Sequence, residues 1–369
     1  MSHRNNFDLL RLIAALQVVV GHAVDFLEVE LSGPLLVAYT VLRWFPGVPV
    51  FFALSGYLLA RSFDRNDDLR NYARNRSLRI FPALWVCFAA TALLLAAAGL
   101  LTRLSPTRLG LFSIAQLTIG QFWIPSPIDE FGLGSPLTPN SALWTIRVEI
   151  GFYIALPIMI LLGRRIFRSA AGLDRGLLAI GAVSFLIGIA NHYSDETALS
   201  PLVRLVMESP APYLWYFIIG VMVHRREAWF RSVLVPHTIR WLAVFLALRT
   251  VIWLVFQRVD NTDLLAFSAA ETVANLLLLA PAFALGFSPT PLVAALKPRD
   301  DISYGVYLWH MVILNALVHW DVAAGTVAVA LVFFGSIVAG YASWHLVEQP
   351  ALRRKKSATR TPGPQLSPT

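Results

Sequence analysis

A chain of 369 residues that is 57% hydrophobic and only 14% charged, with mean hydropathy +0.62, reads as an all-α polytopic membrane protein rather than a pair of soluble domains. Its single cysteine, Cys87, excludes an intrachain disulfide framework and a cysteine-rich metal centre. The net charge of +8 would suit nucleic acid, but the positions of the basic residues account for it as membrane topology, so no nucleic-acid partner is expected.

About ten spans of about 20 residues are predicted, over 7–27, 44–61, 80–101, 141–163, 176–193, 211–224, 240–257, 267–287, 302–319 and 322–347. With the N-terminus in the cytoplasm, 22 Lys and Arg fall on the cytoplasmic side and five on the outer side. This bias sets the orientation and puts both termini inside. No internal repeat of the kind that marks many secondary transporters is visible.

The first span contains Arg11 and His22 and lacks a small-residue cleavage site, so it is a retained helix rather than a signal peptide. Eleven residues at about 100° each leave a rotation of roughly 20°, which puts both side chains on one face about 16 Å apart. Ionisable residues at membrane depth are costly and usually face a protein interior or a functional path. Arg11 otherwise snorkels to the cytoplasmic headgroups, with His22 a satisfied buried histidine. Asp25 lies on a neighbouring face, either orienting the imidazole or ending the helix at the outer surface.

In the second span, Ser55 and Gly56 permit close helix approach; no nucleophile-elbow sequence surrounds Ser55, whose expected role is packing. The following cytoplasmic loop carries Arg70, Arg74, Arg76 and Arg79. Positive-inside bias or anionic headgroups explain this cluster, and so does a phosphorylated cytosolic ligand gripped by guanidinium groups. Cys87, in the third span, is expected to pack. The apolar segment from Gly110 to Trp123 is too short to cross and is placed as an interfacial or re-entrant element on the outer side.

The fourth span enters from the outside with Arg147 and Glu149 at about the depth of His22. A buried carboxylate there can hold a histidine in one tautomer or balance its charge, or it makes a structural interhelical hydrogen bond. Two residues apart, Arg147 and Glu149 do not share a helix face and need different partners. Arg249 and Glu271 also lie at membrane depth. The ninth span opens with Ser303, Tyr304 and Tyr307 and brings a second imidazole, His310. The segment 351–369, basic and then rich in Pro and Ser, is expected to be a disordered cytoplasmic tail after a membrane domain over 1–350. Phosphate-binding, dinucleotide-binding and zinc-protease motifs are missing, and no metal is expected.

Taken together, these residues resemble the membrane acyltransferase-3 family, integral-membrane O-acyltransferases of polysaccharides, lipopolysaccharide and some antibiotics. The R-x10-H pair is Arg11 and His22; the F-F-x-L-S-G-Y-L run is Phe51 to Leu58; Arg76, Arg79 and Pro82 form R-x-x-R-I-x-P. Trp144, Thr145, Val148, Glu149, Phe152 and Tyr153 match W-T-x-x-V-E-x-x-F-Y, Ser303 to His310 match S-Y-x-x-Y-L-W-H, and Glu348 and Pro350 close the series. The motifs cover residues 7 to 350 in order. Ile150 departs from the second Glu found in many members, and no SGNH-type domain follows the last span, as in a stand-alone member.

The resemblance implies transfer of an acyl group, commonly acetyl from acetyl-CoA, to a hydroxyl of a carbohydrate or glycolipid acceptor, by a multi-pass protein of the cytoplasmic (inner) membrane. On this reading the catalytic set is His22 as general base, Glu149 and Arg147. The acyl-CoA set is Arg11, Arg74, Arg76, Arg79, Ser303, Tyr304 and His310, with Arg147, Tyr304 or Ser303 as donors to the oxyanion. The rival from another class is a proton-coupled transporter or flippase using Arg11, His22, Glu149 and His310 as a relay.

Overall fold

The computed structural model describes residues 6–65, 68–103, 105–118, 140–191, 201–256, 264–288 and 300–354. Among them are fifteen α-helices and no strand: α1 Phe7–Phe26, α2 Gly33–Arg43, α3 Gly47–Arg65, α4 Leu69–Ala97, α5 Pro106–Leu117, α6 Leu143–Ile166, α7 Ala170–Asn191, α8 Pro201–Met207, α9 Leu214–Arg225, α10 Glu227–Leu234, α11 Thr238–Phe256, α12 Leu264–Phe287, α13 Ser303–His319, α14 Gly325–Ser343 and α15 Gln349–Leu352. A π-helical turn, Trp344–Glu348, joins the last two.

Eight stretches are long and apolar enough to cross a membrane. The sixth and ninth predicted spans appear as shorter helices, α9 with 12 residues and α13 with 17. At 1.5 Å per residue, α9 is about 18 Å long, less than the roughly 30 Å of hydrocarbon. Both are lined with buried residues, Trp215 to Ile218 and Gly220 to Val223 in α9, and Ser303 to Leu308 with His310 in α13. A helix enclosed by protein does not have to match the bilayer, and these two form the centre of the bundle.

Glycines set how closely the central helices approach. A Cβ on Gly56 of α3 would fall on the Phe217 carbonyl oxygen of α9, and one on Gly220 of α9 would fall on the Ala53 oxygen of α3. The expected close approach at Gly56 is therefore a reciprocal backbone-to-backbone crossing. Gly305 and Gly340 make a second crossing, between α13 and α14.

Local signals fix the turn before α4. Asp68 caps that helix, its Oδ1 accepting from the Arg70 and Asn71 backbone N–H groups at 2.9 and 3.4 Å. Arginine-rich helix ends converge on one side: Arg164 of α6 and His224 of α9 meet Asp64 of α3 at 3.6 and 3.0 Å. Arg225 and Arg226 grip Asp174 of α7 at 2.6 and 2.7 Å. The segment expected to be interfacial contains α5, too short to span, which lies along α4 with Phe112 buried and Leu111 and Ile114 exposed. Its continuation over 119–123, and the tail from 355 onward, lie outside the described residues.

Candidate functional site

Two parallel helices, α1 and α13, frame the site and are bridged at both ends. At one end His22 Nδ1 lies 2.9 Å from His310 Nε2. His310 is fully buried, and its Nδ1 is 2.5 Å from the Tyr307 carbonyl oxygen, one turn earlier on the same helix. A carbonyl only accepts, so His310 Nδ1 carries the proton; in the neutral ring its Nε2 is then an acceptor. His22 must donate from Nδ1, which leaves its Nε2 with a free lone pair. His22 is half-buried and has the Phe26 ring at 5.4 Å. Asp25 does not orient it, because its carboxylate is taken by Arg43 at 2.6 Å and by the Tyr39 hydroxyl at 2.5 Å.

At the other end Arg11 Nη1 pairs with Asp301 Oδ2 at 3.0 Å, and Arg79 pairs with the same oxygen. Arg79 also reaches Glu348 at 3.5 Å, in the π turn, and its guanidinium lies over the Tyr304 and Trp344 rings at 5.9 and 5.8 Å. Burial alone would raise the Asp301 pKa, but the charges of Arg11 and Arg79, with a hydrogen bond from Ser303 Oγ at 2.7 Å, hold this carboxyl well below the usual carboxylate range. Ser303 thus faces Asp301, and the Tyr304 hydroxyl is spent on the Ile80 carbonyl at 3.1 Å.

Between the two ends lies a narrow cavity of about 30 Å³, lined by Arg11, Ser55, Thr145, Glu149, Ser303 and Tyr307 among others. It is polar enough and just large enough for water. Glu149 faces this cavity, accepting from Ser55 Oγ at 3.2 Å and Tyr153 Oη at 2.7 Å. It makes no hydrogen bond to His22, whose ring is oriented by His310 instead. Arg147, two residues away, is not among the cavity-lining residues and sits in the field of Glu208 and Tyr213. The α6 helix therefore sends the two charges of its motif to different sides, as their spacing requires.

A second opening, a groove of about 420 Å³ between α4 and α6, is apolar along Ile80, Phe81, Ile154 and Leu161, with Arg76 in its wall. Arg76 donates to Ser62 Oγ at 2.8 Å and is flanked by the Tyr72 and Tyr153 rings, each 5.8 Å away. No carboxylate pairs with it among the described residues, and its Nε has no hydrogen-bond partner. Arg74 points outward and is exposed. Tyr153 connects the two openings, lining the groove while its hydroxyl holds Glu149 at the cavity.

Sequence reasoning thus located Arg11, Arg79, Ser303, Tyr304 and the two histidines, which gather along one path, together with Glu149 on the cavity wall. It did not single out Asp301, the hub of the arginine-rich end. The available signal was the need of two arginines near one membrane face for a carboxylate at that depth, where Asp300, Asp301 and Glu348 are the nearby acids. Ser55, expected to pack, donates to Glu149. Cys87 packs as expected, buried near the Leu308 carbonyl.

Known proteins are similar to this chain along most of its length. The chain is 33% identical to Nodulation protein 10 of Rhizobium leguminosarum bv. viciae, over 96% of this chain and 95% of that protein. It is 26% identical to an O-acetyl transferase of Shigella phage Sf6, over 95% and 97%, and 24% identical to Exopolysaccharide production protein ExoZ of Rhizobium meliloti (strain 1021), over 86% and 92%. No solved structure matches it. The Acyltransferase domain family (Acyl_transf_3) matches residues 4–345, and the chain belongs to this family of acyltransferases.

Proposed function

We propose that the protein is a transmembrane O-acyltransferase that takes an acyl group, acetyl by preference, from cytosolic acyl-CoA and places it on a hydroxyl of a carbohydrate or glycolipid acceptor. The observation that carries this reading is the His310-held imidazole of His22, with Nε2 bare, joined by α1 and α13 to a cluster of arginines about 16 Å away. Relatives named as an O-acetyl transferase and an exopolysaccharide production protein support the chemistry and the acceptor class.

A sugar hydroxyl is a weak nucleophile at neutral pH, and a positioned base is the usual remedy, contributing about 10²–10⁴-fold. In this reading the acceptor proton passes to His22 Nε2 as the acceptor oxygen attacks the thioester carbonyl. The C–S bond then breaks, and the proton leaves with the CoA thiol. His310 Nε2 stabilises the imidazolium by accepting from Nδ1, the part an orienting carboxylate plays in other histidine bases. The cytosolic phosphates of acyl-CoA meet Arg76, with Arg74 at the surface, while Arg11 and Arg79 are neutralised by Asp301 and Glu348 and shape the passage. The acyl arm traverses the cavity at Glu149, which has to widen to admit it. The arginine-rich end faces the cytoplasm and the protein sits in the inner membrane.

The test is release of free CoA from acetyl-CoA by the purified protein in detergent, dependent on added surface glycans. Glycan-dependent release by the wild type and none by His22→Ala is expected. Full activity of a folded His22→Ala protein contradicts the proposal, and the absence of CoA release by the wild type favours the transporter reading.

A further inference from the structure

Away from the path between the arginines and His22, a third opening of about 250 Å³ lies between the ends of α11 and α12 and the residue after α2. Four rings line it, Trp44, Trp253, Phe256 and Phe267, together with Arg249 and Glu271. It belongs to the His22 end of the molecule, since Trp253 and Phe256 close α11, Phe267 opens α12, and Trp44 follows α2. The adjoining residues tie it to α1. Arg43 reaches Asp25 at 2.6 Å and passes against Gly21, the residue before His22, while Phe45 packs on Phe245 with ring centroids 5.0 Å apart, one turn before Arg249.

The polar content of this opening is a closed pair with one loose end. Arg249, nearly fully buried, donates to Glu271 Oε1 at 2.5 Å and to Asn275 Oδ1 at 2.8 Å. Its Nε–H is buried with no partner, and about a quarter of the Glu271 side chain is still exposed. A pair whose only task is to staple two helices has no need of a cavity ringed by aromatics. A lipid chain has no use for a guanidinium and a carboxylate, which are costly at membrane depth.

A sugar ring answers both features. Its C–H faces stack on aromatic rings, and its hydroxyls both donate to a carboxylate and accept from a guanidinium. Binding pockets commonly combine such apolar walls with a few placed polar groups. The Arg249–Glu271 pair is neutral overall, which selects uncharged sugars over phosphates and uronates. We infer that the α11–α12 opening binds a neutral sugar unit of the acceptor and presents a neighbouring hydroxyl toward His22. This rests on the acyl-transfer reading above.

The test uses the full chain and its variants, restored to cells lacking the gene, with ester-linked acyl groups on surface glycans measured by mass spectrometry. Membrane abundance and elution in detergent are followed for each variant. Trp253→Ala and Glu271→Gln are expected to lower acylation at least tenfold at normal abundance, and Trp253→Phe, which restores a ring, to recover most of it. The exchange Arg249→Glu with Glu271→Arg rebuilds the ion pair but inverts the donors and acceptors, and is expected to remain folded and inactive. Wild-type acylation by the exchanged protein, or by Trp253→Ala, overturns the inference and makes the pair a staple. If wild-type chain adds no acyl ester at all, the acyl-transfer reading itself falls.

Discussion

His22 has the protonation of its ring nitrogens set by a second histidine. The Tyr307 carbonyl fixes the His310 proton, His310 fixes that of His22, and the chain of bonds ends on a bare Nε2. On the proposed reading His310 positions the base: His310→Ala should reduce kcat about 10–100-fold with little change in the KM for acetyl-CoA. His310→Gln, whose amide oxygen can accept from His22 Nδ1, should recover part of that loss. Equal losses in the two variants would make His310 a packing residue only. Asp301 yields a prediction of a different kind. Its folded-state pKa is depressed, so the stability it contributes is complete above its unfolded value of about 3.9 and is lost as pH falls below that value. Thermal unfolding in detergent should shift to lower temperature below about pH 4, and Asp301→Asn should reduce that dependence, leaving the share of Asp174 and Glu227, while destabilising the protein at pH 7, because Arg11 and Arg79 lose their shared counter-ion. An unchanged acid limb in Asp301→Asn would refute this.

At the scale of elements, helix periodicity made much of the architecture readable. Arg11 and His22 share a face because eleven residues are only about 20° more than three turns, and Arg147 and Glu149 diverge because two residues are roughly 200°. Span lengths were less readable, because hydropathy reports contact with lipid, whereas α9 and α13 are enclosed by protein and stop short. Helix neighbours were not readable at all, since nothing local in α1 or α6 states which helix packs beside it. For that reason the partner of Glu149 stays open in the sequence between a histidine and an interhelical hydrogen bond, and the structure gives His22 to His310 and Glu149 to Ser55 of α3 and to Tyr153. The π turn at Trp344–Glu348 is a further case: the wider turn presents Glu348 to Arg79, and such turns recur at functional sites. The α3–α9 crossing has no room for a side chain, so Gly220→Leu should abolish monodisperse protein on size exclusion, through overpacking that costs about 1–3 kcal/mol or more. Normal elution of that variant would disprove the crossing.

In the molecule as a whole, two groups of side chains are separated by depth. Arginines gather at one end, around Asp301, Asp64 and Asp174, and His22 and the aromatic opening lie at the other. The charge pattern of the sequence implies that the arginine end is cytoplasmic. With Cys87 buried, a single Cys at Glu28, exposed just beyond α1, should be labelled by a membrane-impermeant maleimide on intact cells. One at exposed Arg74 should be labelled only after the membrane is opened. The reverse pattern would invert the orientation and separate His22 from an outer acceptor.

The most direct measurement follows labelled acetyl from acetyl-CoA enclosed with the inward side of reconstituted vesicles to glycan supplied on the His22 side. The account predicts labelled ester on the glycan with wild-type protein and none with His22→Ala. Labelled glycan at the wild-type rate from His22→Ala, or none from correctly oriented wild-type protein, would contradict it.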